Sequence, residues 1–393
     1  MYASPPEGGH YRSWMAPATI RGMRFSRRRF LQTTAVAGGG LFFCPCGLGA
    51  QTPAAAAGAG ARRQVVVGGQ RVRTIDMHAH VFIDEAWPLV KDFPQTDKAM
   101  ANLGRSPMAI DQASMDRRFR QMDEMGIDVH VISVHPSQFL YFLEPDLAAR
   151  IVKMQNEKIA ALVAAHRDRF VGFGNISLQQ PDLAVQQLDY AVKQLDMRGF
   201  IVGANVNGGE LANPKLDPVW KKIEELQTVV MIHPQGFDDP GKRLDGAGAL
   251  GNNIGFPLDT TIALAHLIFE GVLDRFPGVK IVGAHGGGFL ASYIGRFDNC
   301  NTLQAPCQRM KRKPSEYLRG PQLYFDSLVY SPQNLRNVVT AAGASQVVIG
   351  TDFGFPIASM TPVDTVLQTP GLSADEQRAI LGENAAGLLK LRS

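Results

Sequence analysis

From residue 64 to the end of the chain, short apolar runs alternate with longer amphipathic stretches. Eight runs, at 73–82, 129–134, 170–176, 199–202, 229–233, 280–285, 323–326 and 347–352, have the apolar composition and the flanking punctuation of β-strands. Between them apolar residues recur at helical spacing over 113–125, 145–166, 182–195, 214–226, 259–276 and 331–342, and again over 374–389. Strands buried on both faces and separated by helices pair in parallel. Eight such units predict an α/β fold, a (β/α)8 TIM barrel forming a single domain with loop insertions; an open doubly wound sheet is the alternative. The long connections at 83–110, 235–257 and 297–322 follow strands one, five and six. On a barrel they share one face, as the walls and lid of a pocket.

The first sixty or so residues break this pattern, and the chain divides into a leader and linker over 1–63 and a barrel over 64–393. Ser26-Arg27-Arg28-Arg29-Phe30-Leu31-Gln32 precedes a weakly apolar, Ala- and Gly-rich stretch over 33–50. That order resembles a twin-arginine export signal. The apolar part is short and glycine-rich for a membrane span of ~20 residues. It predicts delivery by the twin-arginine export machinery to the periplasm, with a membrane tether if the leader stays uncleaved. A basic tail is the alternative, and it accounts for the arginines but not for the apolar stretch behind them. Met23 offers a conventional start for such a leader, and Phe43 before Cys44 argues against lipidation there.

Composition adds limits. Apolar content of 45% and charged content of 19% describe an ordinary globular protein. The formal charge of +4 arises in the leader, where residues 1–63 hold eight Arg against the single acid Glu7. The remainder carries 32 basic and 35 acidic side chains, a net of −3. That balance predicts neither a nucleic-acid surface nor a polybasic membrane patch. Cys300 and Cys307 are the cysteines left after the leader; in an oxidising compartment they close a small loop or stay as two thiols.

The candidate chemistry sits at strand ends. His78 and His80, two residues apart on strand one, point to the same face and can grip one ion. His233 ends strand five, His285 strand six and Asp352 strand eight. A barrel gathers the C-terminal ends of all its strands at one mouth, so residues more than 270 positions apart meet there. Imidazoles plus a carboxylate suit Zn²⁺ or a similar divalent ion and leave an open position for water or substrate. A lone strand-end His is ordinarily a surface or hydrogen-bonded core residue; four of them at three strand ends point to a metal. His10, His130, His166 and His266 read as structural. His135, before Pro136, either faces the pocket or serves a turn. The Gly286–Gly288 run either brings backbone close to the metal or makes a tight strand-to-helix turn.

These residues, with His285-Gly286-Gly287-Gly288, Tyr293-Ile294-Gly295-Arg296, Met122-Asp123-Glu124-Met125-Gly126 and Gly350-Thr351-Asp352-Phe353-Gly354-Phe355-Pro356, resemble the amidohydrolase superfamily in its aminocarboxymuconate-semialdehyde decarboxylase branch. The likeness covers 75–389. It implies that His78, His80, His233 and Asp352 hold one Zn²⁺ or Mn²⁺ and that His285, with Asp352, serves as the catalytic acid/base. A second metal is not implied, because strand four, Gly199-Phe200-Ile201-Val202-Gly203-Ala204-Asn205, lacks the bridging Lys or Glu of binuclear members. The resemblance also suggests a homodimer, with the strand-six insertion reaching a neighbouring pocket.

Arg296 is the candidate grip on a substrate carboxylate, since a guanidinium matches it bidentately. The alternative is a buried Arg paired with Asp298 or Asp326. Where the type enzyme has further arginines, Gln304 stands near one position, with Arg105 and Arg309 close by. The expected activity is metal-dependent non-oxidative decarboxylation of an aromatic or unsaturated small-molecule carboxylic acid. Metal-dependent hydrolysis of a lactone, ester or amide would use the same ligands, and a barrel that merely binds a metal or ligand is a third reading.

Overall fold

A computed structural model describes residues 62–96, 107–236, 242–302 and 309–391. The expected export leader as far as residue 61, Arg105, Gln304 and Cys307 lie outside the described residues; Cys300 is buried.

Burial explains why the strands read as unbroken apolar runs. Every residue of β1 (Ile75–Val81), β2 (Val129–Val134), β3 (Phe170–Gly174), β4 (Gly199–Gly203) and β5 (Val229–His233) is buried, between the barrel interior on one side and helices on the other. β6 (Lys280–Gly283), β7 (Leu323–Asp326) and the short β8 (Val347–Val348) continue the sheet. All eight strands pair in parallel in chain order. The sheet closes where β8 returns to β1: Met77 N–H donates to Ile349 C=O at 2.9 Å and Asp352 N–H to His78 C=O at 2.8 Å. The molecule is a (β/α)8 barrel, not an open sheet.

Six helices expected from periodicity form as α1 (Gln112–Met125), α2 (Pro145–Ala165), α3 (Pro181–Leu195), α4 (Asp217–Leu226), α5 (Phe256–Phe269) and α7 (Pro332–Ala342), and α6 (Leu290–Asp298), which the periodicity does not mark, stands between α5 and α7 in chain order. Caps fix their ends. Asp111 accepts from Ser114 N–H at 3.1 Å to start α1, and α2, α3 and α7 begin on a proline whose missing N–H costs nothing there.

Three expectations need correction. The strand over 347–352 ends at Val348; beyond it Ile349 and Phe353 meet β1 only in isolated bridges, and Asp352 turns the chain with a φ of 58°. The helix over 259–276 breaks at Gly271, φ 70°, before the separate turn Val272–Arg275. The helix over 374–389 is interrupted by a π-turn at Ala379–Glu383. There a Cβ on Gly382 would stand 1.9 Å from the Arg73 carbonyl, so the break is where the C-terminal segment presses on the approach to β1. Among the described residues no helix is long and apolar enough to cross a membrane.

Candidate metal centre

The strands and the turns that follow them bring five side chains to one point. β1 carries His78 and His80, both fully buried, with their Nε2 atoms 3.1 Å apart. A register shift against β2 between Asp76 and Ala79 falls at this pair, the kind of bulge that aims side chains at a site. Asp352 Oδ1 lies 3.2 Å from His78 Nε2, 3.1 Å from His80 Nε2 and 3.9 Å from His233 Nε2. Asp352 Oδ2 faces His285 Nε2 at 3.5 Å. Ligand atoms of His78, His233, His285 and Asp352 all lie within 4.8 Å of one another. The His/His/His/His/Asp group expected from the strand ends is therefore assembled in space.

The outward ring nitrogens are tied down. His78 Nδ1 sits 2.7 Å from Asp326 Oδ2, His80 Nδ1 3.2 Å from Val134 C=O, and His233 Nδ1 2.7 Å from Pro234 C=O. Each acceptor holds the N–H on Nδ1 and turns the Nε2 lone pair inward. His233 Nε2 and Asp352 Oδ1 are buried without a hydrogen-bond partner, an expense that a bound cation would remove. Three inward lone pairs and one carboxylate oxygen fit a divalent metal ion.

Electrostatics agree with that fit. Burial opposes charge on His78, yet Asp352 and Asp326 outweigh it and push the imidazole up to about 10. Burial raises Asp352, while the His78 charge and the facing imidazoles of His233 and His285 hold the carboxyl well below the usual carboxylate range. Burial drives His80 and His233 down, so both present neutral lone pairs. A proton on His78 Nε2 and a metal ion compete for one place. Because the proton leaves His78 only near pH 10, metal affinity is expected to rise by about tenfold per pH unit between pH 7 and 9, one proton being displaced. Chelator competition at several pH values measures it, and a flat profile contradicts it.

Two of the site residues carry backbone strain. His285 (φ 55°) and Asp352 (φ 58°) both adopt the left-handed region, which costs a non-glycine residue about 1–3 kcal/mol and marks functional sites. Gly286–Gly288 also run at positive φ. A Cβ on Gly288 would fall 2.0 Å from the Pro257 carbonyl at the start of α5, and one on Gly286 or Gly287 would fall 2.5 Å from Val329 or Phe325, so the run makes a tight turn packed against its neighbours.

The centre lies where two lobes meet. One, about 360 Å³, is lined by His285, Asp352, Tyr330, Asn334, Asn253 and Phe289. The other, about 550 Å³, is lined by His233, His135, Tyr141, Phe142, Gln235 and Phe355. Phe256 borders both. His135 satisfies both readings, since its ring packs 4.7 Å from Phe355 in the second lobe while its Nδ1 accepts from Ser137 N–H at 3.1 Å. His130 is buried in the core, His166 meets Phe119 edge to face, and His266 pairs with Glu270, all outside the cluster.

Arg296 stands apart. It is exposed on α6 and lines neither lobe, and Asp326 is taken by His78 while Asp298 accepts from Ser315 N–H, so the buried-pair alternative is not formed. Arg309 bonds Glu270 at 3.3 Å on the exterior.

Asp326, missed as a site residue, is the main addition. Its Oδ2 orients His78, and its Oδ1 accepts Gly286 N–H at 2.8 Å and Leu328 N–H at 3.1 Å. It ends a predicted strand, the same signal that marked Asp352. Asp326→Ala is expected to weaken metal binding about 10- to 100-fold by freeing the His78 ring. Chelator competition measures this, and an unchanged affinity contradicts it.

A family model described as "Amidohydrolase" matches residues 75–391. The chain is 30% identical over 333 residues to the 2-amino-3-carboxymuconate-6-semialdehyde decarboxylase of Dictyostelium discoideum, spanning 81% of this chain and 91% of that one. It is 28% identical over 290 residues to the gamma-resorcylate decarboxylase of a Polaromonas species, spanning 70% and 87%. In fold it resembles the solved 5-carboxyvanillate decarboxylase of Sphingomonas paucimobilis, with a TM-score of 0.72, 24% identity, and coverage of 82% and 100%. A Polaromonas dihydroxybenzoic acid decarboxylase solved with bound manganese and the inhibitor 2-nitroresorcinol gives a TM-score of 0.70 at 25% identity, covering 81% and 98%. With a family match across nearly the whole barrel and a relative alike over most of both chains, this chain belongs to the amidohydrolase family.

Proposed function

We propose that the protein is a metal-dependent non-oxidative decarboxylase, a carboxy-lyase, acting on an aromatic or unsaturated carboxylic acid. The observation that carries this reading is the junction of the imidazole–carboxylate cluster with two aromatic-walled lobes, in a chain whose relatives include several decarboxylases. His78, His80, His233 and Asp352 are the proposed ligands of one divalent ion. Zn²⁺ is the proposed resident, by the nitrogen-rich donor set, and Mn²⁺, present in two solved relatives, is the alternative. When bound, the ion supplies positive charge that anchors the substrate carboxylate and a neighbouring oxygen.

The chain's own residues then handle the proton. Breaking the bond between the carboxyl group and its carbon releases CO2 and leaves the electron pair on that carbon, which takes up one proton. His285 and Asp352, 3.5 Å apart and both lining the smaller lobe, are positioned to hold and deliver it. Phe256, Phe355 and Leu328 wall the junction and limit water. Arg296, exposed and outside both lobes, is given no grip on the substrate, and a homodimer is proposed on the resemblance alone. The twin-arginine pattern supports export and action in the periplasm.

Metal-loaded protein incubated with hydroxybenzoates and muconate-type acids is expected to release CO2 and consume protons. Acid release from lactones, esters or amides without any CO2 would overturn the reading in favour of a hydrolase.

A further inference from the structure

Beside the metal centre lies a second buried polar group that the proposed chemistry does not use. Arg118 reaches in from α1 and is fully buried. Its Nη2 donates to the His80 carbonyl, its guanidinium lies 4.5 Å over the Phe353 ring, and its Nη1 stands 3.5 Å from His130 Nδ1. The other nitrogen of that imidazole, Nε2, is 3.3 Å from Asp76 Oδ2. Asp76 in turn accepts His78 N–H at 2.9 Å, Thr351 N–H at 3.1 Å and the Thr351 hydroxyl at 2.5 Å. Asp76, His130 and Thr351 are fully buried as well.

The charges explain the arrangement. A buried guanidinium and a buried carboxylate are each costly alone. A neutral imidazole, accepting at one nitrogen and facing the carboxylate at 3.3 Å with the other, stands between them and links them into one unit, while Arg118 Nε and His130 Nε2 keep no hydrogen-bond partner of their own. What the unit holds is backbone. Its contacts fall on His78 N–H and His80 C=O of β1 and on Thr351 N–H, one residue before Asp352. These are the carriers of the cluster, on β1 and on the segment after β8, whose seam closes the barrel through isolated bridges at Asp76–Ile349 and Ala79–Phe353.

We propose that Arg118, His130 and Asp76 act as a single positioning unit that sets the spacing of His78 and His80 from Asp352 and so tunes the affinity and coordination geometry of the ion. The tuning rests on the metal reading above; the backbone clamp does not.

The test compares Asp76→Asn, Arg118→Met, the double variant, His130→Gln and His130→Phe with wild type. Three readouts serve: Co²⁺ affinity by chelator competition, the intensity of Co²⁺ d–d absorption, and amide hydrogen exchange in metal-free protein. Each single charge-removing variant is expected to bind Co²⁺ about 10- to 100-fold more weakly with altered absorption intensity. The His78 and Thr351 amides are expected to exchange at least about tenfold faster while β4 keeps its protection. The double variant is expected to lose less than the product of the singles, because neither charge is left alone. His130→Gln, whose carboxamide can both accept and donate, is expected to stay closer to wild type than His130→Phe, which can do neither. Should Arg118→Met fail to fold, the double variant and Asp76→Asn decide.

Wild-type Co²⁺ affinity and absorption in the folded variants would overturn the tuning, and exchange unchanged at these amides or raised evenly around the barrel would overturn the clamp. A wild-type protein that takes up no Co²⁺ would sink the metal reading instead, and exchange in the metal-free chain would still judge the clamp.

Discussion

Asp352→Asn is expected to lower kcat/KM at least about 10³-fold while leaving the barrel folded. The substitution keeps the shape of the side chain and the Asp352 N–H bond to His78 C=O, so the turn is retained. What it removes is charge. Oδ1 faces three imidazole nitrogens at 3.1–3.9 Å, and Oδ2 faces His285 at 3.5 Å. A carboxamide cannot carry the proton exchanged with His285, and it is a poorer partner for a divalent ion. Loss of a proton carrier alone accounts for about 10²- to 10⁴-fold, and loss of a ligand acts on top of it. CO2 release by the purified variant measures the effect, with circular dichroism as the folding control. Activity within tenfold of wild type would mean that Asp352 is neither ligand nor proton carrier.

The second large effect is expected from chelation. Stripping the ion should reduce decarboxylation to background, and one equivalent of Zn²⁺ or Mn²⁺ should restore it. The melting temperature should fall as well, since an ion present at about 1,000 times its Kd contributes about 4 kcal/mol to the folded state. The fall should grow with pH. In metal-free protein the charge on His78 stands in for the cation, and its folded pKa, raised to about 10, exceeds the unfolded value near 6.5. Its stabilising contribution is therefore complete below about pH 6.5 and is lost as pH rises through about 10. The metal-bound form does not depend on that proton. Calorimetry with and without chelator at pH 7 and pH 9 measures the difference. A smaller fall at pH 9 than at pH 7 would contradict the proposed competition at His78.

Much of this site is legible in the chain before folding, for a physical reason. A barrel strand buried on both faces has to be apolar, so a His or Asp that ends such a run advertises itself. That signal marks His78, His80, His233, His285 and Asp352, and it marks Asp326 equally, though the partner that gives Asp326 meaning lies 248 positions away. Linear spacing carries no trace of that contact. Arg296 shows the opposite limit. Helical position says nothing about which way a guanidinium points, and α6 turns this one to the exterior. The broken C-terminal helix is a similar case, because its pattern is helical throughout and the interruption falls where Gly382 packs against the Arg73 carbonyl, a contact that linear spacing does not show. The Arg118 unit is likewise invisible to periodicity, as an arginine on an amphipathic helix ordinarily faces water.

The most direct test of the central claim is a crystal structure of metal-loaded protein with data collected at the absorption edge of the bound ion, accompanied by metal content per chain. One ion per chain is expected, bound by Nε2 of His78, His80 and His233 and by the Asp352 carboxylate, with His285 beside it. A catalytically active protein with no such ion, or one whose ion is held by other residues, would contradict it.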